Sequence, residues 1–348
     1  MATGHDLDER SREVLRALIE LHIQTGEPVG SESLSNRLNR QLSPATLRNI
    51  MADLERQGFL DHPHTSAGRQ PTDEGYRFFV DSLIRTRPLA PREARAIDTE
   101  LSGGAPGQVL ESASHLLSRM TRNVGFVLAP DLSRSSFGHI DLVPLAQPRV
   151  LVVMVSRSGL VTNKVIELEE ELGSEELQAC ANYLNTHFAG LSLLAIRTRL
   201  LDRMTQEKAA YDSLLRHVVS VGERAFAEPE GQEASVYLDG ASHILDQPRI
   251  EDMERLKALF RTFEEKSRLV KILNACIAGD GVRIFIGREN LDPDLRDVAL
   301  VTAGRPLEQD VAVGVGVLGP PRMEYARVIA LVDHVARVVA RALGEPRT

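Results

Sequence analysis

The sequence predicts an α+β chain: an N-terminal winged helix-turn-helix, then a β-rich domain interrupted by a mostly helical segment. Three observations carry this. Asp8 to Arg85 reads as helices broken once by a short, turn-rich hairpin. Strand-like runs recur on both sides of a long stretch with helical periodicity. The chain then closes on an apolar-striped helix, Met323 to Leu343.

The first helix spans Asp8 to Thr25, with Val14, Leu15, Leu18 and Leu21 forming one stripe, and Gly26 and Pro28 stop it. A short second helix follows Ser31 as N-cap and runs through Leu34 and Leu38. The third starts with Ser43 as N-cap and Pro44 in the first helical position, where a missing N–H costs nothing, and ends at Gly58. Phe59 and Leu60 predict a strand, His62 to Arg69 a turn-rich tip, and Gln70-Pro71-Thr72 the return into a helix from Asp73 to Arg85.

Pro88, Pro91 and the run Ser102 to Gly107 flank a short helical connector. From Gln108 a helix leads into strands at Val124–Leu128, Phe137–Leu145, Val150–Val155 and Leu160–Leu168. Glu169 to Ala278 is mostly helical, with one strand-like run at Ser235–Leu238; strands return at Val282–Ile286, Val298–Val301 and Val311–Val317. The expected boundaries are therefore a winged-helix domain over 1–87, a connector over 88–107, a β-rich domain in two pieces (108–168 and 279–348) and an insert over 169–278. A chain of 348 residues fits that many units.

Hydrophobic residues make up 43% and charged residues 26% of the chain, as in ordinary globular proteins. The longest apolar run, Val150 to Val155, is too short to cross a bilayer. Asp6, Asp8, Glu9 and Glu13 stand where a secretory leader would be basic and then apolar, and two cysteines make no disulfide framework; both point to the cytoplasm. The net charge of −8 speaks against nucleic acid only if the whole chain touches it. Between Arg37 and Thr72 five arginines face three acids.

The third helix buries Leu47, Ile50, Met51 and Leu54 at i, i+3, i+4 and i+7. Its opposite side carries Ala45, Asn49, Ala52 and Arg56, flanked by Thr46 and Arg48. A helix lying in the major groove wants small residues near its N-terminus, with Asn and Arg to pair with adenine and guanine edges. Thr46, Arg48 and Asn49 are accordingly expected at bases, and Ser43 at the helix N-terminus suits a phosphate. Arg56, with His64, Thr65, Ser66 and Arg69 of the tip, is expected to hold the DNA backbone. The pattern alone also fits a helical domain that binds protein through a solvated face.

Longer strings narrow the choice. Leu7-Asp8-Glu9-Arg10 through Gly26-Glu27-Pro28-Val29-Gly30-Ser31, then Ser43 to Leu54, Pro63 to Phe78, and Met323-Glu324-Tyr325-Ala326-Arg327-Val328-Ile329 with Leu331-Val332-Asp333 resemble the heat-inducible transcription repressor (HrcA) family. The middle resembles it more loosely, through Asn182-Tyr183-Leu184-Asn185. Ile50 stands where the family pattern has an acidic residue, and Pro320-Pro321 adds a proline. The resemblance implies a winged helix, a GAF-like domain and an inserted dimerisation domain. It further implies a homodimer on double-stranded operator DNA, an inverted repeat called CIRCE ahead of chaperone operons, with heat and the chaperonin controlling repression.

Other readings are weaker. Gly314, Gly316 and Gly319 match the dinucleotide fingerprint by letter but lie inside a strand pattern, followed by two prolines instead of a helix. His62 and His64 lack a third ligand, Cys180 and Cys276 read as core thiols, and no nucleophile, base and acid set is present; neither enzyme, cofactor nor metal is expected. The GAF-like portion serves either as scaffold or as a pocket for a metabolite, and the second option makes the chain a ligand-responsive regulator. The helical stretches 191–226 and 250–276 serve equally as monomer core or dimer seam.

Overall fold

A computed structural model describes residues 7–63, 68–84, 88–130, 136–145, 148–157, 161–193, 195–196, 198–199, 213–226, 236–244, 253–277, 280–308 and 311–344. Helices α1 (Glu9–Thr25), α2 (Ser31–Arg37) and α3 (Pro44–Arg56) precede a two-stranded hairpin, β1 (Leu60–Asp61) and β2 (Gln70–Pro71). Helix α4 (Asp73–Phe78) runs on into a π-helical turn, Phe79–Leu83. Asp8 caps α1 by accepting from Ser11 N, and Gly26, at φ 75°, ends it in the left-handed conformation that glycine adopts without strain. Ser31, expected as the cap of α2, is instead its first helical residue; extended Gly30 takes the cap position without a side-chain bond.

The connector region holds α5 (Pro91–Leu101), whose Ile97 and Leu101 are buried. After α6 (Pro106–Thr121) comes β3 (Val124–Leu128), then a meander of β4 (Phe137–Pro144), β5 (Arg149–Ser156) and β6 (Val161–Glu167). Two helices follow, α7 (Ser174–Phe188) and α8 (Ser213–Phe226), then β7 (Val236–Asp239), α9 (Met253–Glu264), α10 (Lys266–Ile277), β8 (Gly281–Ile286), β9 (Ala299–Glu308), β10 (Val311–Gly319) and α11 (Tyr325–Gly344).

Two sheets divide these strands. One is five-stranded and antiparallel, in the order β7-β3-β10-β9-β8. Helices α6 and α11 cover one face, and α9 and α10 cover the other. The other is the meander β4-β5-β6, which shares a separate core with α7 and α8. β4 to β6, assigned to the β-rich domain, stand apart from its sheet; β7, assigned to the insert, hydrogen-bonds to β3. Periodicity reports that a segment is a strand but not which strand it pairs with.

Inside the separate module, the Asn185 side chain closes on one residue of β4: its Oδ1 accepts from Ile140 N at 2.8 Å and its Nδ2 donates to Ile140 O at 3.0 Å. One amide thus satisfies the N–H and C=O of Ile140 that face away from β5 and ties α7 to the sheet. The outer face of the meander carries the rows Val143-Leu151-Val165, Asp141-Val153-Asn163 and His139-Val155-Val161. Val161 is 56% exposed and Val165 53%.

The glycine pattern at 314, 316 and 319 lies in β10 as expected. A Cβ at Gly314 would lie 2.3 Å from Ile277 Cδ1 of α10, and one at Gly316 2.6 Å from Val301 O of β9, so the close approach of a helix explains the first and that of a neighbouring strand the second. Cys180 and Cys276 are buried thiols, each pushed up to about 11 chiefly by burial. Among the described residues no helix is long and apolar enough to cross a membrane.

Candidate DNA-reading surface

The turn into α3 is tight. Asn39 and Arg40 both take positive φ (52° and 58°), Arg40 N donates to Ser35 O, and Ser35 Oγ donates to Leu42 O at 2.8 Å. Ser43 then caps α3: its Oγ accepts from Thr46 N at 3.2 Å and lies 2.8 Å from Thr46 Oγ1. Leu47, Met51 and Leu54 are buried and Ile50 is half-buried, so the helix sits in the rotation its spacing predicts.

Ala45, Arg48, Asn49 and Arg56 lie exposed on the other side, with Thr46 and Ala52 half-buried between them. Arg48 Nε donates to Pro44 O at 3.3 Å, and Arg56 forms an ion pair with Asp53 in which both side chains are mostly exposed. The Asn49 side chain makes no hydrogen bond among the described residues, which leaves its amide available on the outer face. The side presented to solvent is therefore small at its N-terminal end, polar in the middle and cationic at both flanks.

His64, Thr65 and Ser66 lie outside the described residues. Arg69, at the wing base, is described, and its surroundings differ from those of a free cation. Its backbone bridges Val29, with N–H···O distances of 2.8 and 3.0 Å in the two directions. Its Nε donates to Glu55 Oε2 at 2.6 Å, and one terminal nitrogen lies 2.7 Å from His62 Nδ1. The pair is largely shielded, at 22% and 33% side-chain exposure. Gly68 lies so close to Pro28 that a Cβ there would be 2.8 Å from its carbonyl carbon. Sequence spacing missed Glu55, because that contact joins α3 to the wing, and it gave His62 no role beside Arg69, because the two meet only across the hairpin.

Residues 6–82 match the family of winged helix-turn-helix transcription repressors, HrcA DNA-binding, and residues 107–329 match the HrcA protein C-terminal domain. The chain belongs to the HrcA family. The heat-inducible transcription repressor HrcA of Geobacter sulfurreducens is 42% identical over 340 residues, covering 97% of this chain and 98% of its own. Its namesake from Xylella fastidiosa strain M23 is 41% identical over 340 residues, 98% of this chain and 97% of the relative. A crystal structure of a hypothetical protein at 2.2 Å covers 98% of this chain and 100% of its own, with a TM-score of 0.63 at 20% identity, which establishes a common fold. As HrcA is a family of transcription repressors, the chain is a repressor and not an enzyme.

In this HrcA chain the reading module does not hang free of the body. One core runs from α1 to α3 through Tyr76 and Phe79 into α6, α11 and one face of the five-stranded sheet. Tyr76 and Tyr325 are both fully buried with ring centroids 6.1 Å apart, and His22 Nδ1 lies 2.7 Å from the Tyr76 hydroxyl. Tyr325 donates its hydroxyl to Pro321 O at 2.6 Å, and burial holds its phenol well above the ordinary value. Beside this contact a cleft of about 690 Å³ opens between α1, the π-helical turn and α11, lined by Arg16, Ile23, Phe79, Leu89 and Glu324 among others.

Proposed function

We propose that the chain represses chaperone operons by binding, as a homodimer, an inverted-repeat operator of the CIRCE type, with heat and the chaperonin setting its activity. The observation that carries this is the exposed outer face of α3 in a winged helix that belongs to a repressor family. Thr46, Arg48 and Asn49 read base edges, and Ser43 at the α3 N-terminus meets a phosphate. Arg56 and the tip residues His64, Thr65 and Ser66 hold the backbone. Arg69 braces the wing through Glu55 and offers its remaining terminal nitrogen to a phosphate.

The domain reading follows the sheets. Residues 1–87 are the reader and 88–107 carry the connecting helix. The five-stranded sheet with helices on both faces supports a GAF-like body. The meander with α7 and α8 is the inserted dimerisation domain. A two-fold operator calls for a two-fold protein. The exposed valines on the outer face of the meander, Val143, Val161 and Val165, with Leu151 and Val155 between them, support a second copy of the chain as its cover.

Fluorescence anisotropy tests this reading directly. The full chain, with chaperonin present and at fixed salt, is titrated onto a duplex carrying the CIRCE repeat and onto one with a scrambled half-site. A strong preference for the intact repeat is expected. Equal, weak and salt-sensitive binding to both overturns the operator assignment.

A further inference from the structure

We propose that Glu289, acting through Arg77, is a positioning residue for DNA recognition: it fixes the reader on the body and so sets the half-site spacing a dimer accepts. The inference rests on the operator reading above.

Asp73, Tyr76 and Arg77 stand at i, i+3 and i+4 on α4, so the short helix turns all three toward the body. Arg77 Nε donates to Glu289 Oε1 at 2.7 Å, and a terminal nitrogen closes on Glu289 Oε2. That nitrogen also donates to Ile284 O at 2.6 Å. A two-pronged guanidinium–carboxylate pair restricts direction as well as distance, which a single charge contact does not. Two charged groups therefore define an angle between modules 212 residues apart in sequence.

The body side of the pair is itself immobilised. Ile286 N donates to Glu289 Oε2 at 2.8 Å. Asn290, 5% exposed, donates its Nδ2 to three carbonyls: Gly287 at 3.0 Å, Leu295 at 2.8 Å and Val298 at 2.9 Å. The turn that carries Glu289 is thus tied from inside. Next to it, Arg288 N donates to Asp73 Oδ2 at 3.2 Å. Gly287 has φ 55°, and a Cβ there would stand 1.9 Å from Asp73 Oδ2, so only glycine permits this approach.

The polar clip and the Tyr76–Tyr325 contact fix α4 at separate points, which leaves the reader little freedom to swing. None of these residues belongs to α3 or the wing tip. A part-exposed ion pair adds little to stability, so the effect of losing it falls on orientation. Orientation is what two readers on one dimer need in order to reach two half-sites at a set separation.

The test uses the full chain and its Glu289→Gln and Asp73→Asn variants. Anisotropy is read on a single half-site, on the intact inverted repeat, and on repeats with the spacer changed by about two base pairs either way. Wild type is expected to favour the intact spacing. Both variants are expected to keep half-site affinity within about twofold yet lose at least about fivefold of the discrimination between spacings. Wild-type discrimination in both variants overturns the positioning role, and so does a loss of half-site affinity as large as the loss on the full repeat. If wild type itself does not distinguish two half-sites from one, the operator reading fails, and this inference falls with it.

Discussion

Arg69 Nε lies 2.6 Å from Glu55 Oε2, and this bond ties the base of the wing to the last turn of α3. The cation expected to reach DNA is balanced by a carboxylate of the same module. Arg69→Ala is expected to weaken binding to every sequence while shifting the salt slope by well under the ~0.9 per phosphate contact of duplex DNA. Titrations at several salt concentrations measure this. A full unit of slope would mean that Arg69 leaves Glu55 for a phosphate on binding.

Asn49 stands exposed on the outer face of α3, and its side chain makes no hydrogen bond among the described residues. Asn49→Ala is expected to cost about 1–3 kcal/mol of specific binding and to relax preference at one base pair of each half-site. Competition with single-base operator variants reads the result. Unchanged specificity would remove Asn49 from the base-reading set.

Ser43 holds the first turn of α3 through Thr46 N. Ser43→Ala is expected to lower stability by about 1 kcal/mol, and Ser43→Asn by much less, because an amide oxygen also caps. Urea melts monitored by circular dichroism separate the two. Equal losses from both would show that the hydroxyl matters for something other than capping.

The outer face of the meander carries Val161 and Val165, both more than half exposed, with the row Asp141-Val153-Asn163 between them. If it is the dimer seam, Val161→Asp with Val165→Asp yields a folded monomer by sedimentation and abolishes the preference for an intact repeat over one half-site. A dimer that survives both changes places the seam elsewhere.

Cys180 and Cys276 are buried, and each thiol is pushed up to about 11 from 9.0, chiefly by burial. A raised folded pKa contributes stability that is complete below pH 9 and is lost as pH climbs toward 11. The native chain is therefore expected to resist alkylation at pH 8 and to label at both cysteines in urea. Mass spectrometry counts the adducts. Rapid labelling of the native chain would show that a thiol is exposed.

Local features were legible in the sequence wherever one element decides its own geometry. Ser43-Pro44 and the Leu47, Met51 and Leu54 stripe fix where α3 starts and which side it buries, and the structure has both. The strands were legible for the same reason. Their partners were not: β7 pairs with β3 across about a hundred residues, and no local period records that choice. The site follows the same division. Asn49 and Arg48 are read from one helix, whereas Glu55–Arg69 and Arg77–Glu289 join elements that only the fold brings together.

The order of the five-stranded sheet sets a timetable for synthesis. β3 leaves the ribosome early, yet its neighbours are β7 and β10, and the second of these starts at Val311. At 5–20 residues per second, β3 waits on the order of 10–40 s for its second partner. For the first part of that interval, until β7 is made, Phe126, Val127 and Leu128, all buried in the finished protein, have no strand to pair with. The sheet therefore closes only late in synthesis, since β10, which sits between β3 and β9, is its last strand to be made.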